Sequence, residues 1–229
     1  MPRGPAHKAA QRGEVDALRR ALLDDFPWAN ALGRHDRTPL HYVCLKGDNA
    51  EARVACVHML LEAGAVVYAL DEYQRTPLHY AARQCNEDVV AALFEARSWC
   101  DVNRADRDNI TPLHLACVRS DSGVGPALLL IRNGADVNAI RGAGFPRTPL
   151  DYAIMFSRRL VPILLRAGAT LPAHTNNIYI LKVIAAGGFG RYQRNQLDAL
   201  AATFAPHFAH LPPEIVRLVV KYAFHVGYY

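Results

Sequence analysis

The residues Thr38-Pro39-Leu40-His41 decide the fold, because the same short pattern returns three more times along the chain. The later copies are Thr76-Pro77-Leu78-His79, Thr111-Pro112-Leu113-His114 and Thr148-Pro149-Leu150-Asp151. A looser copy, Gly4-Pro5-Ala6-His7, precedes them, so that repeating units begin near residues 4, 38, 76, 111 and 148. A fixed period of this size predicts a stack of similar supersecondary units rather than one globular core.

Each unit predicts two helices. A threonine hydroxyl can cap free backbone N–H groups, and proline suits the first turn of a helix, so Thr-Pro indicates a helix start. A second, more apolar helix is predicted over residues 15–23, 54–61, 89–94, 126–131 and 160–165. Gly-Ala follows three of these segments, at residues 64–65, 134–135 and 168–169, where glycine can take the left-handed conformation that ends a helix.

The segments TPLHYAA (76–82), TPLHLAC (111–117) and NGADVNA (133–139) resemble the ankyrin repeat family, and the resemblance covers residues 4–175. It implies an all-α solenoid of helix pairs with projecting β-hairpin fingers, and a function in protein–protein recognition. It also implies that the repeated histidines, His7, His41, His79 and His114, bond to backbone between neighbouring units. We therefore expect an unidentified protein as the partner.

The resemblance also implies which positions touch that partner: those in the fingers before Thr-Pro and those at the end of each first helix. We expect the contacts at Arg37, Tyr73, Arg75, Arg83, Arg107, Ile110, Phe145, Arg147 and Phe156. Arg37, Arg75 and Arg147 each stand immediately before Thr, which predicts a row of cations and an acidic partner. The alternative is that these arginines only solvate the fingers.

The units are longer than the roughly 33 residues typical of the family. Extra residues fall at 141–145, and Arg97-Ser98-Trp99-Cys100 stands where Gly-Ala is usual. Such insertions are either drift in a tolerant loop or an added contact surface anchored by Trp99 and Phe145.

The repeat pattern fades after Thr170, which predicts two parts: repeats over residues 1–175 and a helical cap over 176–229. Three helices are expected in the second part, at 178–186, 192–204 and 211–222. LPPEIVRLVV (211–220) resembles the opening of an F-box and the F-box-like tail of poxviral ankyrin proteins. That resemblance implies that the chain is a substrate-recognition adaptor of a cullin-type ubiquitin ligase. It would dock to the ligase's adaptor protein through Leu211, Pro212, Ile215 and Val219. A solenoid also needs a terminal cap to cover its last apolar face, so both roles stay open.

Catalysis finds no support in the motifs. His207 and His210 are spaced for a helix-borne metal site, but no Cys or acidic residue nearby completes a ligand set. The glycine-rich segment 187–190 lacks the lysine and hydroxyl of a phosphate-binding loop and predicts a turn. We therefore predict a protein without enzymatic activity, cofactor or metal.

The formal charge of +5 first suggests nucleic acid. The excess lies at the two ends, however, because residues 36–171 contain fifteen Lys/Arg and fifteen Asp/Glu. We therefore expect no nucleic-acid partner. No apolar run approaches the roughly 18 residues that span a bilayer, and no signal-peptide pattern opens the chain. The expectation is a monomer without a membrane partner, in the cytoplasm or the nucleus, with its five cysteines as free thiols.

Overall fold

The computed structural model describes residues 4–24, 27–46, 49–95, 100–142, 146–173, 175–208 and 211–223. Within these ranges the structure has thirteen α-helices and four short 3-10 helices, with no β-strand and one isolated antiparallel bridge between Arg141 and Arg147. The helices are α1 Pro5–Arg12, α2 Val15–Leu22, α3 Pro39–Cys44, α4 Ala50–Glu62, α5 Pro77–Gln84, α6 Glu87–Glu95, α7 Pro112–Cys117, α8 Val124–Arg132, α9 Pro149–Phe156, α10 Leu160–Arg166, α11 Ile178–Ala185, α12 Phe189–Phe204 and α13 Pro213–Ala223.

The first eight helices form four packed pairs, α1 with α2, α3 with α4, α5 with α6 and α7 with α8. Helices α9 and α10 follow along the chain as a fifth pair, and the first helix of every pair begins at a predicted unit start. The prediction of an all-α repeat fold is confirmed. The fingers differ in detail from the expected β-hairpins, because in the described residues they are tight turns closed by one or two backbone hydrogen bonds.

The helix starts follow from the repeated pattern. Each of Thr38, Thr76 and Thr111 precedes a helix with proline at its first turn. The backbone N–H of Thr38 donates to Nδ1 of His41 at 3.1 Å, and the two side chains meet at 2.9 Å. The same contacts recur after Thr76 and Thr111. In the last unit Asp151 replaces the histidine and accepts the Thr148 N–H at 2.7 Å.

Two rows of helices build the repeat core. The first helices of successive units pack on one another, α1 to α3, α3 to α5, α5 to α7 and α7 to α9. The second helices pack likewise, α2 to α4, α4 to α6 and α6 to α8. Small side chains allow the close approach of the first row, since Ala81, Ala82, Ala116 and Cys117 are fully buried. Apolar burial along both rows supplies the main stabilisation.

The chain divides into two compact units, Met1–Leu160 and Val161–Tyr229, so that the division falls within α10. The division at residue 175 rests on the repeat pattern rather than on packing and stays a prediction.

In the second unit, Val216 and Val220 of α13 form a small core with Ala201 of α12. The helix α12 begins at Phe189, three residues before its predicted start, while the turn expected at Gly187 and Gly188 is present.

No helix in the described ranges combines the length and apolar character that crossing a membrane requires.

Candidate interaction surface

Four turns, called fingers below, precede the Thr-Pro helices. Each is closed by a hydrogen bond from the backbone N–H of its first residue to the carbonyl of its last. The bonds are Gly33 to Arg37 in finger 1 (2.8 Å), Asp71 to Arg75 in finger 2 (3.0 Å), Asp106 to Ile110 in finger 3 (3.0 Å) and Arg141 to Arg147 in finger 4 (2.9 Å). Finger 4 is two residues longer than the others, which locates the extra residues predicted at 141–145.

A carboxylate shapes fingers 2 and 3 from within. Oδ1 of Asp71 accepts the backbone N–H groups of Tyr73 and Arg75, both at 2.9 Å. Oδ1 of Asp106 accepts those of Asp108 and Ile110, also at 2.9 Å. Aspartate favours such turns because its short side chain reaches the backbone two residues ahead. These two bonds fix the path of each finger.

The second oxygen of each carboxylate holds the preceding finger. Nε of Arg37 donates to Oδ2 of Asp71 at 3.2 Å, and Nε of Arg75 donates to Oδ2 of Asp106 at 2.8 Å. The arginine side chains are 17% and 18% exposed, and the aspartates 0% and 1%. Tyr80 joins the first pair, since its hydroxyl donates to Asp71 Oδ2 at 2.5 Å.

These pairs change what Arg37 and Arg75 can offer a partner. Each guanidinium is largely buried and paired with an aspartate. The sequence predicted a row of free cations, and neither Arg37 nor Arg75 is one. Ile110 also departs from its expected contact role, because it is only 9% exposed. Its carbonyl accepts a hydrogen bond from His79 at 3.1 Å. Arg147, the third arginine of the predicted row, is exposed.

The ionisation of the first pair follows from its contacts. Burial alone would raise the pKa of Asp71, but hydrogen bonds from Tyr80 and from the N–H groups of Arg75 and Tyr73 outweigh it, so that this pKa lies below its ordinary value. Burial, followed by the hydrogen bond to Asp71, raises the pKa of Tyr80 to about 12. Asp71 is therefore ionised and Tyr80 neutral near neutral pH.

Tyr73 is the most prominent apolar group of the first three fingers. It is 40% exposed, and its ring lies 5.9 Å from that of His35. The guanidinium carbons of Arg37 and Arg75 both lie 5.8 Å from the ring centroid. Backbone bonds hold these fingers in order, since Glu72 N–H donates to His35 O and Arg107 N–H to Tyr73 O. Tyr73 is thus a rigidly supported, accessible aromatic side chain.

The ends of the first helices present a second group of exposed side chains. Arg83 lies in the last turn of α5, and Val118 and Arg119 follow α7. All three are exposed, as is Arg107 at the tip of finger 3. Among the described residues none of these arginines forms an ion pair, so their charge is available to a partner.

Finger 4 and α9 form a compact cluster. Nη1 of Arg147 lies 3.6 Å from Sδ of Met155, and Arg141 donates to the hydroxyl of Tyr152. Phe156 stacks on Tyr152 with a centroid distance of 6.4 Å and an interplanar angle of 20°. Met155 is 56% and Phe156 44% exposed. Phe145, expected at this surface, lies outside the described residues, as does Trp99.

Each repeated histidine bonds to a backbone carbonyl in the segment that leads into the next Thr-Pro helix. Nδ1 of His41 accepts a backbone N–H, so Nε2 carries the proton and donates to the carbonyl of Arg75 at 3.0 Å. His7 reaches Ala31 O at 2.8 Å and His114 reaches Arg147 O at 3.2 Å in the same way. Burial lowers the pKa of His41 and of His79 to about 4, and it also lowers the pKa of His114.

Among the described residues, no group of three or more His, Cys, Asp or Glu side chains could hold a metal ion. His210 and the side chain of His207, whose spacing was considered for a metal site, lie outside the described residues.

The helix α13 has two apolar faces. Val216 and Val220 are buried against α12, together with the half-buried Leu211. Ile215, Leu218 and Val219 are 41%, 46% and 37% exposed. Pro212 is exposed as well. Of the four predicted docking residues, Leu211 therefore belongs to the small core, and the other three are accessible.

Sequence reasoning missed the two finger aspartates and Arg141. A signal was present, because Asp71 and Asp106 both stand five positions before the Thr of a Thr-Pro pair. Arg141 was hidden, since the longer finger 4 moves it out of that register.

Comparison with known protein families identifies the repeat. The family model described as ankyrin repeats (3 copies) matches residues 6–106, and the model described as ankyrin repeat matches residues 108–141. Together they match more than half of the chain. No curated protein matches it.

Proposed function

Because this chain belongs to the ankyrin repeat family, whose repeats are generally protein–protein interaction modules, we propose that it binds a partner protein through its fingers and the ends of its first helices. One observation carries this proposal. Tyr73, Met155 and Phe156 are exposed although each is supported by ordered neighbours, and exposed arginines lie in the last turn of α5 and on fingers 3 and 4.

These residue types suit a binding face. Tyrosine, methionine, phenylalanine and arginine are enriched at the centres of protein interfaces, and a few such residues supply most of the binding energy. Because Tyr73 and Phe156 are held by ring contacts, their binding costs little side-chain entropy. Arg83, Arg107 and Arg147 are exposed cations on the same series of fingers and first helices, which favours a partner with acidic residues.

The test is a quantitative affinity capture with the wild-type chain and the variant Tyr73→Ala/Phe156→Ala. Tyr68→Ala is the matched control, because Tyr68 is 56% exposed but lies before finger 2 rather than within it. Proteins captured by the wild type and the control, and depleted about tenfold or more by the double variant, would be the partners. Equal recovery by all three chains would show that the face is placed wrongly.

A second role, docking of a cullin-type ligase adaptor, is favoured by the exposed face of α13. Val216 and Val220 already pack against α12, whereas Ile215, Leu218 and Val219 lie at a spacing that presents one apolar stripe to solvent. This stripe has the form of a helix that lays its apolar side into a groove.

Adaptor docking is tested by co-purification of a cullin adaptor with the wild type and with Ile215→Ser/Val219→Ser. These positions are preferable to Leu211, whose removal would also disturb the core of the second unit. Ile178→Ser on α11 is the control, since Ile178 is 71% exposed. Loss of the adaptor from the double variant alone would support docking. No adaptor on the wild type would leave α13 as a cap.

A further inference from the structure

Finger 4 breaks the charge pattern of the fingers before it. In fingers 2 and 3 the first residue is an aspartate that binds the arginine of the preceding finger. In finger 4 the corresponding residue is Arg141, and the residue closing the preceding finger is the uncharged Ile110. The series of arginine–aspartate pairs therefore ends at finger 4, where a cation replaces the acid. Because finger 3 ends in Ile110 rather than in an arginine, Arg141 meets no arginine of the preceding finger at that position.

Arg141 faces a like charge within its own finger. Arg141 and Arg147 exchange both backbone hydrogen bonds, at 2.9 and 3.2 Å, which makes them a directly opposed antiparallel pair. Side chains at such positions leave on the same face with Cβ atoms about 5 Å apart, and like charges there repel. In the described part of the chain neither arginine forms an ion pair, and their side-chain partners are the neutral Tyr152 and Met155.

An apolar surface adjoins the two cations. Met155 contacts the Arg147 guanidinium, and Phe156 stacks on the ring that Arg141 covers. Met155 and Phe156 expose about half of their surfaces, and Ile140, beside Arg141, is 60% exposed. A ligand bound here would contact two guanidinium groups and this exposed apolar surface at the same time.

We propose that this cluster binds an acidic segment of a partner protein, in which a carboxylate lies between Arg141 and Arg147 and the following apolar side chain packs on Met155 and Phe156. The inference rests on the proposed function and names the chemistry of the partner at one end of the face. A carboxylate accepts hydrogen bonds from both guanidinium groups and cancels their repulsion, so the bound state gains from both effects. The apolar neighbour adds burial of exposed surface.

The probe is a fluorescein-labelled peptide, Gly-Ser-Glu-Glu-Leu-Phe-Gly-Ser, measured by fluorescence anisotropy on the full chain. We expect it to bind about tenfold more tightly than the same peptide with Gln-Gln in place of Glu-Glu, and less tightly as salt rises. Arg141→Gln/Arg147→Gln should lower the affinity about tenfold and remove the preference for glutamate. Because the substitution relieves repulsion, the thermal midpoint of the variant should not fall.

Charge reversal keeps the test independent of any loss of folding. Arg141→Glu/Arg147→Glu should prefer the peptide with Lys-Lys, and Arg19→Gln/Arg20→Gln, on exposed positions of α2, should behave as the wild type. The inference fails if the wild type binds the glutamate and glutamine peptides alike, or binds neither at about 1 mM. It also fails if the α2 control loses as much affinity. The two tests are distinguishable. If the peptide measurements fail but Tyr73→Ala/Phe156→Ala still depletes captured partners, this inference is wrong and the proposed function is retained.

Discussion

Arg37 and Asp71 form an ion pair that links finger 1 to finger 2. Nε of Arg37 donates to Oδ2 of Asp71 at 3.2 Å, while Oδ1 of the same carboxylate closes the turn of finger 2. Arg75 and Asp106 repeat this arrangement one unit later. A single residue type therefore sets both the shape of a finger and its attachment to its neighbour.

Asp71→Asn should separate these two roles. Asparagine retains an oxygen that can accept the N–H groups of Tyr73 and Arg75, but it loses the charge that Arg37 and Tyr80 require. Removing one partner of a buried ion pair leaves the other uncompensated, so we expect the free energy of unfolding to fall by about 2–3 kcal/mol. Urea denaturation followed by far-UV circular dichroism measures it.

Asp108→Asn serves as the control, because Asp108 lies exposed at the tip of finger 3. A change below about 0.5 kcal/mol is expected there. Equal effects of the two substitutions would mean that the ion pair contributes little to holding the fingers.

The repeat fold was predictable because its determinants are local. Thr38, Pro39 and His41 are close in sequence and make their capping contacts within one turn, so the pattern itself specifies the helix start. The last copy of the pattern has Asp151 at the position that His114 occupies in the copy before it. The Asp151 side chain accepts the Thr148 N–H as the histidine does, but it lacks the second ring nitrogen with which His114 reaches the carbonyl of Arg147.

The charge pattern of the face was not predictable, because it depends on residues about 30 positions apart. In the sequence, Arg37 and Arg75 have the pattern of free surface cations. In the folded chain each pairs with the aspartate of the following finger. The same holds for α13. Val216 and Val219 are both apolar, and only packing against α12 decides that the first is buried and the second exposed.

The buried histidines predict a loss of stability in mild acid. His41 and His79 have a pKa near 6.5 when unfolded and about 4 when folded. Above pH 6.5 each is neutral in both states and adds no pH dependence. Below it only the unfolded chain takes up the proton, so stability falls by about 1.4 kcal/mol per pH unit for each histidine until about pH 4.

Between pH 7 and pH 5 the expected loss is about 2 kcal/mol for each of the two residues. Urea denaturation at both pH values measures it. In His79→Gln the chain is less stable at pH 7, but its drop between the two values should be smaller by about 2 kcal/mol. A stability that does not change from pH 7 to pH 5 would contradict the buried, neutral state of these side chains.

Arg53 should be the arginine least tolerant of replacement. It lies in α4, is 1% exposed, and donates to the carbonyls of Val43 at 2.8 Å and Gln11 at 3.3 Å. It thereby ties α4 to the backbone of the first helices of two units. In Arg53→Met these carbonyls lose a donor while the apolar stem is retained, and we expect a loss of about 2–4 kcal/mol in the free energy of unfolding.

The matched change, Arg19→Met, replaces an exposed arginine on α2 and should alter stability by less than about 0.5 kcal/mol. Both are measured by urea denaturation at pH 7. If Arg53→Met were as stable as the wild type, the hydrogen bonds from Arg53 would add nothing beyond the packing of its stem.

The two faces of α13 should respond differently to substitution. Val216 and Val220 are 3% and 1% exposed, so Val216→Ala and Val220→Ala remove buried methyl groups and should each destabilise the second unit by about 1–2 kcal/mol. Ile215→Ser and Val219→Ser act on exposed side chains and should cost less than about 0.5 kcal/mol. Hydrogen–deuterium exchange of the α12 and α13 amides reports the stability of this unit alone. Faster exchange in the two Ser variants than in the two Ala variants would show that the face assigned to solvent is in fact the packed one.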